Sequence, residues 1–274
     1  LLAFFDFVKY LTLEFIGVML RLFQTLGNFN NTLNLVFNSH VHLEKLNMLE
    51  KNKVKDAKNV LIYDEKLGDN AIQLNSISFK YFGSDSNIFN NLSLTIQKNS
   101  HTVITGDNGS GKSTLLGLVS GILIPEEGTI SLYSKKLAYV GATPLIVNGT
   151  LRENVLYGND LKIEDNLILD LAESFKLFEK TEELDLDRQI TNKSLSSGQM
   201  QKVSFIRAIL SKPDILILDE STSNLDIDSR QIVKNQLKNL QITIINSTHN
   251  SDEVEYDTRL HIEVNNGLRV VSTT

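Results

Sequence analysis

The chain has 274 residues, a length that suits one large domain or one domain with an appendage. Its net charge of −6 argues against a protein that binds nucleic acid through an overall basic surface, so we expect no nucleic-acid partner. No cysteine is present, which excludes disulfides, thiolate metal sites and a cysteine nucleophile, and allows a reducing cytosolic setting.

The first 50 residues are rich in apolar side chains and contain no proline. Four charged residues interrupt the apolar run over 1–23, namely Asp6, Lys9, Glu14 and Arg21. A spanning helix needs about 20 mostly apolar residues with few charges, so hydropathy leaves a membrane helix and a buried or amphipathic helix both open. Helical spacing of apolar positions continues to residue 50, and a helix over about 10–50 favours a membrane helix with a cytosolic extension. Because the first residue is Leu1, we interpret the chain as a fragment of a longer polypeptide.

The sequence then changes from a helical to an α/β pattern. Residues 51–70 are charged and weakly patterned, and we interpret them as a linker. From Ala71 onward, alternating apolar residues predict antiparallel strands over about 72–79 and 92–96. Continuous apolar runs at 215–218 and 242–245 predict strands buried on both faces of a parallel sheet. We therefore expect one domain over 71–274.

A glycine-rich loop fits the pattern G-x-x-x-x-G-K-[ST] at every fixed position and lies between a predicted strand and a predicted helix. Its residues are Gly106, Asp107, Asn108, Gly109, Ser110, Gly111, Lys112 and Ser113, with Thr114 following in the helix. Glycines let successive backbone N–H groups turn inward around an anion, and the helix adds its positive N-terminal end. We expect Lys112 to reach the β- and γ-phosphates of ATP and the Ser113 hydroxyl to bind Mg²⁺.

A second segment supplies two carboxylates. The apolar run 215–218 carries Asp219 and Glu220 to the end of a buried strand, where ligands bind in open α/β sheets. Asp219 is expected to hold Mg²⁺ directly or through water. Glu220 is then placed to polarise the attacking water.

Further segments name a family. Leu195-Ser196-Ser197-Gly198-Gln199 resembles the LSGGQ signature of ATP-binding cassette (ABC) proteins, with Ser197 in place of the first glycine. Ser223 to Asp226 resembles the D-loop, His249 the switch histidine, and Tyr81 the aromatic residue of the A-loop. The resemblance covers 71–274 in the family's order of motifs. It implies a P-loop NTPase fold with a mixed core sheet, an antiparallel β subdomain and a helical subdomain over about 151–210.

The same resemblance assigns roles to these residues. Tyr81 would stack on adenine, with core packing as its alternative. Ser196, Ser197, Gly198 and Gln199 would bind a phosphate held by a second cassette, so that ATP joins two cassettes into a homo- or heterodimer. Asp226 would lie at the dimer seam, and its alternative is a helix N-cap. His249 would hydrogen-bond the γ-phosphate and act with Glu220 and Lys112 in catalysis, with a solvated loop histidine as the alternative.

One position departs from the family pattern. Residues 138–154 resemble the segment that carries a Mg²⁺-contacting glutamine, and this glutamine falls at Ala142. Alanine cannot bind a metal or orient a water, so hydrolysis is expected to be slower, or Gln201 or another nearby polar group has taken over. A regulatory cassette with little turnover is therefore an alternative to an active ATPase.

The resemblance also suggests a role for the first 50 residues. A cassette that follows a long helix is typical of exporters whose transmembrane domain precedes it on one polypeptide. The implied partners are that transmembrane domain and a lipid membrane, with the cassette on the cytosolic side of the inner or cytoplasmic membrane. Residues 15–50 resemble the last membrane helix of such exporters and its cytosolic extension. Arg21-Leu22 and the asparagine-rich stretch that follows more distantly resemble flippases of lipid-linked oligosaccharides. A soluble cassette ATPase is a further alternative, against which the single cassette argues.

Overall fold

The computed structural model describes residues 18–25, 60–84, 86–159, 162–178, 184–248, 255–265 and 267–274. The chain divides into two units, Leu1–Asp56 and Ala57–Thr274. In the first unit residues 18–25 are helical, and the remainder of the predicted helix over 10–50 lies outside the described residues. Within the described ranges, none of the helices combines the length and the apolarity needed to cross a bilayer.

The described part of the second unit contains strands and helices in alternation. The strands are β1 (Leu61–Tyr63), β2 (Asn70–Phe79), β3 (Phe89–Gln97), β4 (His101–Thr105), β5 (Glu127–Leu132), β6 (Leu137–Val140), β7 (Gly149–Thr150), β8 (Gln189–Ile190), β9 (Ile215–Asp219), β10 (Thr243–Ser247), β11 (Thr258–Asn265) and β12 (Leu268–Thr273). The helices are α1 (Lys112–Val119), α2 (Leu151–Val155), α3 (Asp165–Ser174), α4 (Ser197–Leu210) and α5 (Ile227–Lys238).

Two larger sheets organise these elements. The first has the order β1-β5-β2-β3, and β2 pairs antiparallel with both β3 and β5 as the alternating sequence predicts. The second has the order β12-β11-β4-β10-β9-β6 and is parallel from β11 to β6. All five residues of β9 and of β10 are buried, which confirms the prediction from their continuous apolar runs. The mixed α/β fold expected from the sequence is therefore present.

The parallel sheet separates two apolar cores. On β9, Ile215 and Ile217 pack in the core that contains α1 and the first sheet, whereas Leu216 and Leu218 pack in the core that contains α4. Successive side chains of a strand point to opposite faces, so α1 and α4 cover opposite faces of this sheet. The phosphate loop precedes α1 and the signature segment precedes α4, and they are thus attached to different faces.

One strand lies where the sequence predicts a linker. β1 falls within 51–70 and pairs in parallel with β5, with Leu61 opposite Ile130. A three-residue strand offers too few positions for an alternating pattern to be recognised. Its pairing with β5, a contact distant in sequence, creates the strand.

Candidate nucleotide-binding site

The phosphate loop joins the end of β4 to the start of α1. Gly106, Gly109 and Gly111 have φ values of 146°, 78° and 107°, a region that favours glycine. At Gly106 space is also limiting, because a Cβ there would lie 2.4 Å from the carbonyl oxygen of Ile262. The loop is therefore glycine-rich for reasons of conformation and of close packing against β11.

Lys112 is folded into this loop and is only 5% exposed. Its ammonium donates to the carbonyl oxygens of Gly106 at 2.8 Å and Asp107 at 3.1 Å. The hydroxyl of Ser110 is buried in the same loop and has no hydrogen-bond partner within the described residues. A buried cation and an unpaired buried hydroxyl both favour a ligand with several acceptor oxygens, such as a polyphosphate.

The loop meets the end of β9 through a side-chain contact. Ser113 donates from its Oγ to Oδ1 of Asp219 at 3.1 Å. Hydroxyl and carboxylate oxygens are hard ligands of the kind that Mg²⁺ prefers, and that ion usually keeps several waters and binds substrate phosphates as well. No group of three or more His, Cys, Asp or Glu side chains that could hold a metal occurs among the residues the structure describes. The pair therefore fits an ion held jointly with a phosphate rather than an all-protein metal site.

The other oxygen of Asp219 also accepts a hydrogen bond, from a residue for which no role was predicted. Tyr139 on β6 donates its hydroxyl to Oδ2 of Asp219 at 2.9 Å. Burial, together with the neighbouring Asp219 carboxylate, raises the pKa of the Tyr139 phenol. The phenol therefore stays protonated and acts as a hydrogen-bond donor at neutral pH. Sequence analysis missed it because the parallel pairing of β6 with β9 is not readable from either strand alone.

Glu220 begins the turn after β9. Its φ of 49° is positive, which is uncommon for a residue with a side chain. Its N–H donates to the carbonyl oxygen of Ser247 at 3.0 Å, which joins the end of β9 to the end of β10. The chain continues from β10 to Thr248 and then to His249, which lies outside the described residues. Glu220 thus sits directly beyond the Ser113–Asp219 contact.

Tyr81 lies against the start of α1. Its hydroxyl is 2.9 Å from Oγ1 of Thr114, and its ring meets that of Phe79 edge-on with centroids 5.2 Å apart. The side chain is nevertheless 46% exposed. An exposed aromatic face beside the phosphate loop can stack on a flat base, so the structure brings Tyr81 to the same site as Lys112 and Ser113.

The signature segment forms the N-terminus of α4. Ser196 is the N-cap: its Oγ accepts from the N–H of Gln199 at 3.1 Å, and Oε1 of Gln199 accepts from the N–H of Ser196 at 2.8 Å. This reciprocal pair is a capping box. Ser197 and Gly198 occupy the first turn between these two residues. The helix end can present a positive potential to an anion outside this cassette.

Asp226 caps the next helix. Its carboxylate accepts from the N–H of Ser229 at 2.7 Å and from the hydroxyl of the same residue at 3.1 Å. The N–H bond is the main reason why the pKa of Asp226 is lowered. The N-cap alternative is therefore realised in this structure, and it leaves the exposed side of Asp226 able to meet a partner.

The loop at Ala142 is held from two directions. Gln201, which is fully buried on α4, donates to the carbonyl oxygen of Gly141 at 3.0 Å, and its own Oε1 has no partner within the described residues. Asn224, in the segment before Asp226, donates to the carbonyl oxygen of Ala142 at 3.1 Å. Gln201 therefore contacts the backbone beside Ala142. The role of Asn224 was not foreseen from the sequence.

The segment after Ala142 is anchored by Asn154. Its amide accepts from the N–H of Val147 at 2.9 Å and donates to the carbonyl oxygens of Val147 and Thr150, each at 3.0 Å. Arg207 of α4 donates to the carbonyl oxygen of Asn154 at 2.7 Å. A network of hydrogen bonds thus joins this segment to α4.

Comparison with known proteins places this site in a family. Residues 89–223 match the family described as "ABC transporter". The ATP-dependent permease MDL1 of Candida albicans is 36% identical over 219 residues, which cover 72% of this chain and 32% of the permease. The heterocyst differentiation ATP-binding protein HepA of Nostoc sp. is 29% identical over 256 residues, covering 86% of this chain and 42% of that protein. The chain thus spans less than half the length of these relatives.

A solved structure has the same fold. A bacterial Atm1-family ABC exporter with ATP bound superposes with a TM-score of 0.64 at 24% identity, covering 73% of this chain and 38% of the exporter. The resemblance of Arg21-Leu22 and the asparagine-rich stretch to flippases of lipid-linked oligosaccharides is not confirmed by these relatives. Residues 89–223, which match the family model, include the phosphate loop, the signature segment, Asp219 and Glu220. The chain belongs to the ABC transporter family, whose cassettes hydrolyse ATP coupled to transport.

Proposed function

We propose that this cassette binds ATP with Mg²⁺ and hydrolyses it as a face-to-face dimer that powers export across a membrane. The observation that carries the proposal is the contact between Ser113 and Asp219, which joins the phosphate loop to the end of β9. It brings a phosphate cradle and an oxygen pair suited to Mg²⁺ into one site, with Glu220 next in sequence. Tyr81, whose hydroxyl is 2.9 Å from Oγ1 of Thr114, adds an aromatic ring beside the loop.

Binding is the work of the loop and of Tyr81. Backbone N–H groups of the loop and the N-terminus of α1 receive the phosphates, and the Lys112 ammonium binds the β- and γ-phosphate oxygens. The Ser113 hydroxyl can donate to Asp219 and still offer lone pairs to the ion. Bound Mg²⁺ neutralises charge on the phosphate oxygens. Tyr81 stacks on the adenine.

Hydrolysis depends on Glu220. Its carboxylate accepts a proton from the attacking water, and His249 donates a hydrogen bond to the γ-phosphate. The positive φ at Glu220 and its position directly after Asp219 support this role. Asp219 and Glu220 then have different tasks, one at the ion and one at the water.

The placement of the signature segment supports a second cassette. Helices α1 and α4 cover opposite faces of the parallel sheet, which separates the signature segment from the phosphate loop of the same chain. The N–H groups of Ser196 and Gln199 are used in the capping box, so Ser197 and Gly198 would offer theirs to the phosphate of another cassette. A second copy or a related cassette supplies the complementary half, with Asp226 near the seam. ATP bound between two cassettes stabilises only the paired state.

The support for a transport function comes from the relatives, which include a permease and an exporter, and not from the geometry of this chain. We propose that a transmembrane domain of the same polypeptide, in a lipid membrane, couples to the cassette on its cytosolic side. A lipid or lipid-linked saccharide is one candidate for the exported substrate, and transport assays with the full-length protein would test it. Ala142 supports a second candidate, a regulatory cassette that pairs on ATP with little turnover, and single-turnover hydrolysis by the dimer separates the two.

The test of pairing uses Glu220→Gln, which keeps the shape of the side chain and removes the carboxylate. Light scattering on the full chain should show a mass increase with ATP and Mg²⁺, larger and longer-lived in Glu220→Gln than in the wild type. Glu173→Gln, the same change at an exposed position on α3, serves as the matched control and should behave as the wild type. A Glu220→Gln chain whose mass is the same with and without ATP contradicts the dimer.

A further inference from the structure

Both oxygens of the Asp219 carboxylate are held by hydroxyl donors from different elements. Ser113 of α1 donates to Oδ1 at 3.1 Å, and Tyr139 of β6 donates to Oδ2 at 2.9 Å. We propose that Tyr139 is a positioning residue of the nucleotide site, which fixes the Asp219 carboxylate in the orientation that receives Mg²⁺. This inference rests on the proposed function and assigns it a further residue.

The reach of the ring follows from the sheet register. On the parallel pair β6 and β9, Tyr139 lies opposite Ile217, two residues before Asp219. Residues two apart on a strand point to the same face, so the side chains of Tyr139 and Asp219 lie on the same face of the sheet. A tilt of the Tyr139 ring along the strand direction brings its hydroxyl to the Asp219 carboxylate. The hydroxyl at the far end of the phenol ring spans this offset, which a shorter hydroxyl side chain cannot do.

Gly141 leaves space for the tilted ring of Tyr139. A Cβ at Gly141 would lie 3.2 Å from Cε1 of Tyr139, a contact that would push the ring aside. The positive-φ glycines of the described residues do not include Gly141, so backbone freedom does not explain the glycine here. The absence of a side chain at 141 instead leaves room for the ring of Tyr139.

The same segment is where the expected glutamine is missing. Ala142 follows Gly141 and has no polar atom on its side chain, whereas Tyr139, three residues earlier, contacts the metal-site carboxylate. Tyr139 is 39% exposed, and its hydroxyl keeps two lone pairs for water after donating to Asp219. This chain thus retains a polar link from the segment 139–142 to the site through a different side chain.

The expected effect is on metal-dependent binding. Partners that hydrogen-bond a ligating group orient it, and their loss typically lowers metal affinity about 10- to 100-fold. Tyr139→Phe removes one oxygen and keeps the ring. ADP is a suitable probe because it is not hydrolysed, and its binding to the full chain is measured by calorimetry with Mg²⁺ and with EDTA. We expect about tenfold weaker ADP binding in Mg²⁺, at the lower end of that range, and unchanged binding in EDTA.

Two further variants sharpen the test. Tyr133→Phe is the matched control, because the Tyr133 hydroxyl donates 3.1 Å to the carbonyl oxygen of Asp214, just before the opposite end of β9. It should leave the ratio of Mg²⁺ to EDTA affinities unchanged. Asp219→Asn should remove most of the Mg²⁺ advantage, and adding Tyr139→Phe to it should cause little further loss if Tyr139 acts through Asp219.

The outcomes separate the two proposals. A wild type that binds ADP no better in Mg²⁺ than in EDTA contradicts the metal site of the proposed function. A wild type with a clear Mg²⁺ advantage that Tyr139→Phe leaves intact overturns the positioning role alone. Equal losses in Mg²⁺ and EDTA also overturn it, because they indicate general damage to the fold.

Discussion

The side-chain amide of Asn224 donates a hydrogen bond of 3.1 Å to the backbone carbonyl of Ala142, across 82 residues of sequence. Together with the bond from Gln201 to Gly141, it fixes the backbone where the glutamine of the family pattern is absent. The position is therefore ordered although its side chain is only a methyl group. A longer side chain introduced at residue 142 would therefore extend from a backbone that is held in one position.

Ala142→Gln should raise kcat for ATP several-fold and change nucleotide affinity little. The phosphate loop, Lys112 and Mg²⁺ provide most of the affinity, whereas an amide at 142 would help to orient the attacking water, and small displacements can cost about 10²-fold in rate. Steady-state ATPase assays on the reconstituted full-length protein measure both constants. Ala142→Leu adds similar bulk without an amide and should give no gain. An unchanged kcat in Ala142→Gln means that the position is already compensated.

Lys112→Ala should remove tight ATP binding. The Lys112 ammonium is buried in the loop, and the loss of a charge-assisted contact to phosphate costs on the order of 1.5–3 kcal/mol. Calorimetric titration with ATP measures the loss. Lys98→Ala is the matched control, since Lys98 also donates to a backbone carbonyl, that of Gly68 at 2.7 Å, but on the antiparallel sheet. Nucleotide affinity that is unchanged in Lys112→Ala would show that the loop is not the phosphate site.

Asp226→Ala should lower the free energy of unfolding by about 1 kcal/mol, the usual cost of losing a helix N-cap. Asp226→Asn should retain most of this stability, because asparagine also caps helices well. Urea denaturation without nucleotide compares the three proteins. If Asp226 also contacts a partner cassette, the asparagine variant should pair less readily with ATP while remaining stable. Equal stability of the alanine variant and the wild type would contradict the capping role.

His101 should make stability depend on pH. Burial lowers the pKa of His101 below its ordinary value of 6.5, and the ring atom Nε2 is buried without a partner within the described residues. The unfolded chain therefore binds a proton at a higher pH than the folded chain does. The contribution of neutral His101 to the free energy of unfolding is complete above pH 6.5 and decreases as the pH falls through that value. It levels off below the pKa of His101 in the folded chain. His101→Phe should flatten this part of the profile, as measured by urea denaturation at several pH values.

The sequence was most informative where one local pattern determines one local structure. The phosphate loop that begins at Gly106 lies between a strand and a helix as predicted, and Ser196 is the N-cap of α4. The buried run of β9 was recognisable because a strand covered on both faces favours continuous apolar side chains, as in Ile215–Leu218. In β10 only the apolar residues Ile244 and Ile245 gave this signal, because Thr243, Asn246 and Ser247 are buried although they are polar. Each of these features is encoded within about ten residues, the span over which periodicity can be read.

Features that depend on pairing between distant segments could not be predicted in the same way. The contact of Tyr139 with Asp219 requires β6 to lie beside β9, and strand order is not written in either strand. The strand β1 exists through its pairing with β5. The cap at Asp226 was one of two interpretations, because an aspartate before a helix has the same sequence pattern whether or not it also meets a partner.

The division of β9 between two cores has a consequence for hydrogen exchange. Alternate residues of β9 pack in different cores, so neither core can open without exposing part of this strand. Its backbone also pairs with β10 on one side and β6 on the other. The β9 amides should therefore exchange with solvent only through global unfolding. The Asp219 carboxylate at its end would therefore stand on one of the slowest-exchanging strands of the cassette.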